Sequence, residues 1–345
     1  MKHYIPDVYK EFNCAADKCP DTCCKDWEIV IDEETESFYK SVRGNLGEML
    51  NDNIVTDSDG DRIFLLNEKK ECPFLDKERL CMLQKEYGEK ALCKTCFEYP
   101  KLSFDFTEFT EYALSFACPE AVRLVMKSGS YSFPDTKPIE NDDNGYSKEV
   151  MNFLIAARKK TAEIFLSPMP YKTKLSNALA FNEYVQELLY CEDTDISLLS
   201  DVEFELPEGK HCDNGFVFEL VSRLDIMDKE FLCDIQKARN SRLIPDEKIN
   251  DEFVKLSLYY LHRYYLNAIA DEDVLSCVKS IFCAYAVISS LTAYYHAEND
   301  FDRRVLIYEK YSREIEHSFE NVEVMKEAYY SDSDFSSINL INTLF

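Results

Sequence analysis

The chain has 345 residues, 46% of them hydrophobic and 30% charged, enough apolar content for two domains or one large domain with an appendage. Asp and Glu total 65 against 39 Lys and Arg, and the formal charge of -26 repels nucleic acid and anionic membranes while favouring basic partners such as lysine-bearing proteins. The eight glycines form neither GxGxxG nor GxxxxGK[ST], so no dinucleotide or P-loop site is expected; the best apolar stretch, Val278 to Ala293, falls short of the roughly 18 residues that cross a bilayer, which makes a soluble cytoplasmic protein with no membrane partner the expectation.

Nine of the fourteen cysteines lie in the first 118 residues, starting with Cys14, Cys19, Cys23 and Cys24, where Pro20, Asp21 and Thr22 disfavour continuous helix. Cys72, Cys81, Cys93, Cys96 and Cys118 follow. Several thiolates brought together on short loops are suited to a soft or borderline metal. A disulfide framework fits less well, because the chain has no apolar segment behind Met1 and the number of thiols is odd. Adjacent Cys23 and Cys24 are too close to share one metal without strain, so at least one of them serves a second metal or none. Only Cys93-Lys-Thr-Cys96 forms a CxxC knuckle, short of the two that a zinc ribbon needs, and a thiol set without histidine fits an iron-sulfur cluster better. Radical S-adenosylmethionine chemistry is not inferred, because Asp26 stands where CxxxCxxC requires its third cysteine.

Apolar positions Phe38, Tyr39, Val42, Leu46, Met49 and Leu50 recur at helical spacing from Thr35, with Asp32 or Thr35 as N-cap. Ile63 to Leu66 reads as a short strand, and Leu102 to Ser115 as a hairpin turning near Asp105 to Glu108. Cys118 precedes Pro119 at the start of a helix, Glu120 to Lys127, where the helix dipole should favour its thiolate. Residues 129–147 are rich in Pro, Asn, Asp and Gly and read as a linker. The expected organisation is therefore mainly α, with a cysteine-rich metal-binding module with short strands at 1–128 and an all-helical domain at 148–345.

In the second half, helices are expected at Lys148 to Leu166, Lys174 to Tyr190, Phe216 to Ala238, Ile249 to Ala270, Glu272 to His296, Phe301 to Phe319 and a shorter one to Tyr330. Cys191 to Asn214 reads as a polar loop with one exposed strand. Cys191, Cys212, Cys233, Cys277 and Cys283 read as inert buried thiols. The paired tyrosines Tyr259, Tyr260, Tyr264, Tyr265, Tyr294 and Tyr295 read as core or groove lining rather than a cofactor box. Arg313, Glu314 and His317 share a helix face, either as a salt-bridge cluster or as the lining of an active-site pocket.

The run Phe12-Asn-Cys14, Cys19-Pro-Asp-Thr-Cys23-Cys24 and Trp27, then Cys72-Pro-Phe-Leu, Cys81, Cys96 with Tyr99-Pro100, and Ser115-Phe-Ala-Cys118-Pro119-Glu120-Ala121, resembles the flagellin lysine-N-methylase family. Tyr311-Ser-Arg-Glu-Ile-Glu-His317 continues the likeness, and the first part also resembles the broader CxxCxxCC zinc- or iron-chelating domain. The resemblance implies transfer of methyl groups from S-adenosylmethionine to lysine side chains of flagellin, assisted by an iron-sulfur cluster, most simply 4Fe-4S. Cys14, Cys19, Cys23, Cys24, Cys72, Cys81, Cys96 and Cys118 match its cysteine pattern, whereas Cys93 does not, and Lys101 stands where Arg is expected. Arg313, Glu314 and His317 are the candidate catalytic residues, with Glu314 or His317 deprotonating the lysine and tyrosine rings favouring the sulfonium. The alternative is a non-catalytic zinc or iron-sulfur protein whose helical half binds a partner.

Overall fold

The computed structural model describes residues 1–129, 131, 133–141, 145–200, 202 and 213–344. The protein is 59% helix and 8% strand. A three-stranded sheet has the order β1 (Lys2–Tyr4), β5 (Phe109–Leu114), β4 (Lys101–Asp105), with β1 parallel and β4 antiparallel to β5. A separate ribbon pairs β2 (Ile54–Thr56) with β3 (Arg62–Phe64). The hairpin and the short strand thus form close to where the alternation of Phe, Tyr and Thr places them.

Besides a small packed cluster of Leu114, Cys118 and Ala121, two large ones organise the molecule. The smaller one holds Ile29, Tyr39, Leu50, Phe64, Phe74 and Leu83 together with Cys72 and Cys93. The larger one runs from Val8, Phe109 and Phe116 through Val122 into every long helix of the second half. Its centre is the Leu275–Tyr294 helix, which packs against the helices Tyr171–Tyr190, Gly215–Ser222, Lys229–Ala238, Glu247–Tyr264, Phe301–Tyr311 and Phe319–Ser331. That helix is long and apolar enough to cross a membrane, contrary to the sequence expectation, but 83% of its apolar window is buried inside the protein. A helix surrounded by partners is apolar on all sides for that reason alone.

Asp32 caps the Glu33–Ser41 helix by accepting from Thr35 N, as expected, and its second oxygen accepts from Lys94 N, joining two segments that both lead to cysteines. The expected single helix beyond it is two, because Gly44 takes φ +75° and the chain restarts at Asn45–Asn53. The apolar run 216–238 also divides, into Gly215–Ser222 and Lys229–Ala238, with Asp228 capping the second piece. The Glu247–Tyr264 helix tightens into a 3-10 turn at Tyr265–Asn267. Phe301–Tyr311 passes into a π-helix at Ser312–Glu316 and then a new helix, Phe319–Ser331. A last helix, Ser337–Leu344, buries Leu340, Ile341 and Leu344 and was not expected. Parts of the expected linker 129–147 and of the loop with an exposed strand at 191–214 lie outside the described residues, and the described part of that loop contains a 3-10 turn, Ile196–Leu199. Within the first, Tyr131, Thr136 and Ile139 are buried, and Ser147 caps the Lys148–Leu166 helix.

A buried polar network joins the sheet to the helices. Glu111 on β5 receives both guanidinium nitrogens of Arg158, at 2.6 and 2.7 Å, and the Thr136 hydroxyl, while His262 Nε2 stands 3.7 Å from the same carboxylate. Burial alone would push the Glu111 carboxyl up, but the Arg158 guanidinium holds it below the usual range. Burial, aided by Arg158 and opposed by Glu111, pushes the His262 imidazole down to about 4.

Above pH 6.5 both folded and unfolded His262 are neutral; between about 6.5 and 4 only the unfolded chain takes the proton, so stability falls as pH falls through that window. The His262→Gln variant is therefore expected to lose about 2 kcal/mol less stability than the wild type between pH 7 and pH 5, read from urea unfolding at the two values. Equal losses in both proteins would remove His262 as the titrating group.

Candidate functional site

All described cysteines are free thiols. Cys277 and Cys283 are buried as expected, Cys191 and Cys233 are exposed, which corrects the reading of them as core, and Cys212 lies outside the described residues. The nine N-terminal thiols divide into two sets by the charges they exert on one another. Cys19 is pushed up by burial and by Cys14; Cys118 by burial, to about 12, and by Cys19 and Cys14; Cys23 feels Cys24, Cys118 and Cys14. The second set is Cys24, Cys72, Cys81, Cys93 and Cys96. Burial, with Cys24, Cys81 and Cys93 nearby, pushes Cys72 up to about 12. Cys96 is raised first by its hydrogen bond to Cys93, then by burial and by the charges of Cys93, Cys24 and, from the first set, Cys23. Cys93, which falls outside the family pattern, is thus inside this group.

Cys23 and Cys24 stand where the sets meet. The Cys23 thiol hydrogen-bonds Cys24, which lowers Cys24 to about 7 and raises Cys23. Backbone amides serve the other sulfurs. Cys81, Cys93 and Cys118 each precede a short helix as its N-cap. Ala16 N donates to Cys14 Sγ at 3.4 Å, and the amides of Gln84 and Leu83 near Cys81, Cys96 near Cys93, Ala121 and Glu120 near Cys118, and Phe74 near Cys72 favour those thiolates. The expected lowering of Cys118 at its helix start is present but smaller than the cost of its burial.

Amides aimed at sulfur stabilise thiolates and tune metal-thiolate centres. The donor set therefore fits a thiophilic metal or an iron-sulfur cluster in its chemistry. Among the described residues, no three or more His, Cys, Asp or Glu side chains are drawn into metal-holding geometry.

The first set touches the far end of the chain. Asp21, between Cys19 and Cys23, is ion-paired with Arg313 at 2.7 Å, and Arg313 also holds Glu309. Burial pushes the Asp21 carboxyl up, but Arg313 and then Lys25 outweigh it and bring it below the usual range. Ser115, three residues before Cys118, lies 2.6 Å from His317 Nε2 and also accepts from Ala117 N. His317 keeps an exposed outer edge, yet crowding by the surrounding protein, then Arg263 and Arg313, pushes its imidazole down to about 3, so it is neutral at pH 7.

The three expected catalytic side chains do not converge. Arg313 and His317 face the thiol-bearing loops, whereas Glu314 accepts from the backbone amides of Met227 and Asp228, at 2.8 and 3.1 Å, and fixes the break between the two helices there. The convergent carboxylate is Glu316. Tyr259, Tyr260 and Tyr264 donate hydroxyls to it at 3.0, 2.9 and 3.0 Å, and Arg263 pairs with it at 3.2 Å. Tyr259 in turn accepts from Phe116 N and stacks on the Phe116 ring, centroids 3.8 Å apart, two residues before Cys118. Four of the six paired tyrosines are thus buried polar donors or core, as their helical stripe suggested: Tyr265 bonds Asn182.

The π-helix explains why Glu316 was missed. Widening the turn at Ser312–Glu316 rotates the following side chains relative to a 3.6-residue spiral. Spacing by three and four then no longer describes the face. Three tyrosine hydroxyls on one helix were a usable signal, because buried phenols require an acceptor.

No family model and no solved structure matches the chain. Over 126 residues, 35% of this chain, it is 32% identical to the flagellar biosynthetic protein FliU of Salmonella muenchen and covers 75% of that protein. It is equally 32% identical to the lysine-N-methylases of Salmonella typhimurium and Salmonella choleraesuis, but spans only 31% of their length. By that likeness the chain belongs to the flagellin lysine-N-methylase family.

Proposed function

We propose that this protein is a cytoplasmic, S-adenosylmethionine-dependent lysine N-methyltransferase acting on flagellin, with an iron-sulfur cluster held by N-terminal thiols. The names of its relatives support the reaction class and the flagellar substrate. Within the structure, the main support is the meeting of the thiol loops with Arg313 and His317, side chains about 200 or more positions away in sequence. Cys14, Cys19, Cys23 and Cys118 would hold a metal group beside that meeting point, and Cys24, Cys72, Cys81, Cys93 and Cys96 would supply the ligands of another. When bound, an iron-sulfur cluster supplies an electron-transfer centre, and zinc a Lewis acid.

The remaining tasks fall to the chain itself. A lysine amine with pKa near 10.4 must lose a proton before it attacks a sulfonium methyl group. His317, neutral and hydrogen-bonded to Ser115, is the acceptor on the thiol side: it takes a hydrogen bond from the free amine and orients it, while the amine's proton leaves to water because the low pKa of His317 does not let it hold that proton. Arg313, tied to Asp21 and Glu309, holds the π-helix against the cysteine loop and so positions His317.

The test is methyl transfer from labelled S-adenosylmethionine to purified flagellin by protein prepared without oxygen, with iron, sulfide and zinc measured on the same sample. Transfer is expected, and His317→Ala should slow it about a hundredfold with circular dichroism unchanged. Stoichiometric zinc, no sulfide and no transfer would replace the enzyme with a non-catalytic metalloprotein.

A further inference from the structure

A cavity of about 250 Å³ opens beside Glu316 and is walled by Tyr260, Tyr264, Tyr311 and Phe319, with Glu323 at its edge. Its composition is aromatic and acidic. Glu316 is almost fully buried on one side of it and already collects three phenolic donors. The Tyr264 ring accepts a cation on one side, with the Arg263 guanidinium 4.8 Å from its centroid. Tyr311 is 1% exposed, and its hydroxyl has no hydrogen-bond partner at good geometry, an unusual state for a buried phenol. The cation in the lining, Lys326, is neutralised by Asp271 at 2.8 Å. Phe319, by contrast, is 74% exposed at the start of its helix.

Aromatic faces beside carboxylates attract alkylammonium groups, through the ring quadrupole and through direct charge. Size narrows the choice. Pockets for drug-sized ligands run from about 300 Å³ upward, so this one suits a single side chain better than a whole nucleoside. We propose that it takes the lysine side chain, free or methylated, of a protein partner, with the exposed Phe319 ring meeting the partner's backbone outside. The assignment rests on the methyltransferase reading and specifies where that substrate would enter.

The test uses the full chain and a short peptide with one central lysine, its trimethyl-lysine form and its norleucine counterpart, with S-adenosylmethionine titrated in parallel by calorimetry. Both lysine forms should bind, norleucine at least about tenfold more weakly, and Phe319→Ala and Glu323→Gln should each weaken lysine binding by about fivefold to tenfold while leaving the donor's affinity unchanged. Both variants are at the rim, so loss of fold does not confuse the result. Equal binding of norleucine and lysine, or unchanged lysine affinity in both variants, would overturn the assignment. So would weakened S-adenosylmethionine binding with the peptide unaffected, which would give the pocket to the sulfonium. A wild type that binds lysine as described but transfers no methyl group would overturn the enzymatic reading and leave the pocket standing.

Discussion

The Arg158→Met substitution is expected to destabilise the protein by about 3–5 kcal/mol, measured as the free energy of urea unfolding at pH 7. Arg158 is 1% exposed and Glu111 is not exposed at all, so the substitution leaves a buried carboxylate with only Thr136 and a neutral imidazole beside it. The cost comes from that stranded charge more than from the lost attraction. The Phe133 ring, 5.3 Å from the guanidinium, loses its partner as well. Replacing both members, Glu111→Leu with Arg158→Met, is expected to recover most of the loss, because an apolar pair of similar volume has no charge to desolvate. A single variant within about 1 kcal/mol of the wild type would mean that water reaches the pair, contrary to its burial. The bidentate pair joins β5 to the Lys148–Leu166 helix, so its loss should also loosen the sheet that carries Ser115 and Cys118.

The second large effect concerns neighbours in sequence. Cys23→Ser and Cys24→Ser are expected to remove different portions of the bound metal, each leaving a substantial remainder, while the double variant loses nearly all of it. The reason is that Cys23 sits among Cys14 and Cys118, and Cys24 among Cys72, Cys81 and Cys96. Serine keeps the size and the hydrogen-bonding capacity but is a poor soft-metal ligand. Metal per chain, measured by elemental analysis on the three variants, decides the matter without any assay of activity. If either single variant loses all of its metal, the thiols form one centre, and the division seen in their mutual charges has no counterpart in ligation.

Local chemistry was readable in the sequence where one residue dictates one conformation. Asp32 before a helical stripe, Pro119 behind Cys118, and the β-branched and aromatic alternation on both sides of Asp105 to Glu108 all appear as expected. The misses share a different cause. Apolar residues keep recurring at helix-like spacing through 216–238 and 301–319, so periodicity cannot show that Glu314 fixes the break in the first or that a π-turn shifts Glu316 inward in the second. Those breaks are set by tertiary hydrogen bonds, which spacing does not encode. The Ser337–Leu344 helix was too short to stand out from its polar flanks. Cysteine spacing pointed to a thiol-rich module but not to how its thiols group, because which loop faces which depends on the small core around Tyr39, Phe64 and Phe74.

The position of Cys118 has a consequence for assembly. Cys14, Cys19 and Cys23 leave the ribosome long before Cys118, and the side chains that cover this corner, Arg313 and His317, come almost last. Domains tend to fold as they emerge, so the second set, complete by Cys96, can close while the first is still an open three-thiol pocket. Each newly made chain therefore passes through an interval in which one set of thiols is complete and the other is still waiting for its fourth sulfur and for the cover of Arg313 and His317. Were both sets to hold metal, as proposed, a cell short of it would fill them unequally, and the shortfall would fall on the set that His317 and Arg313 cover.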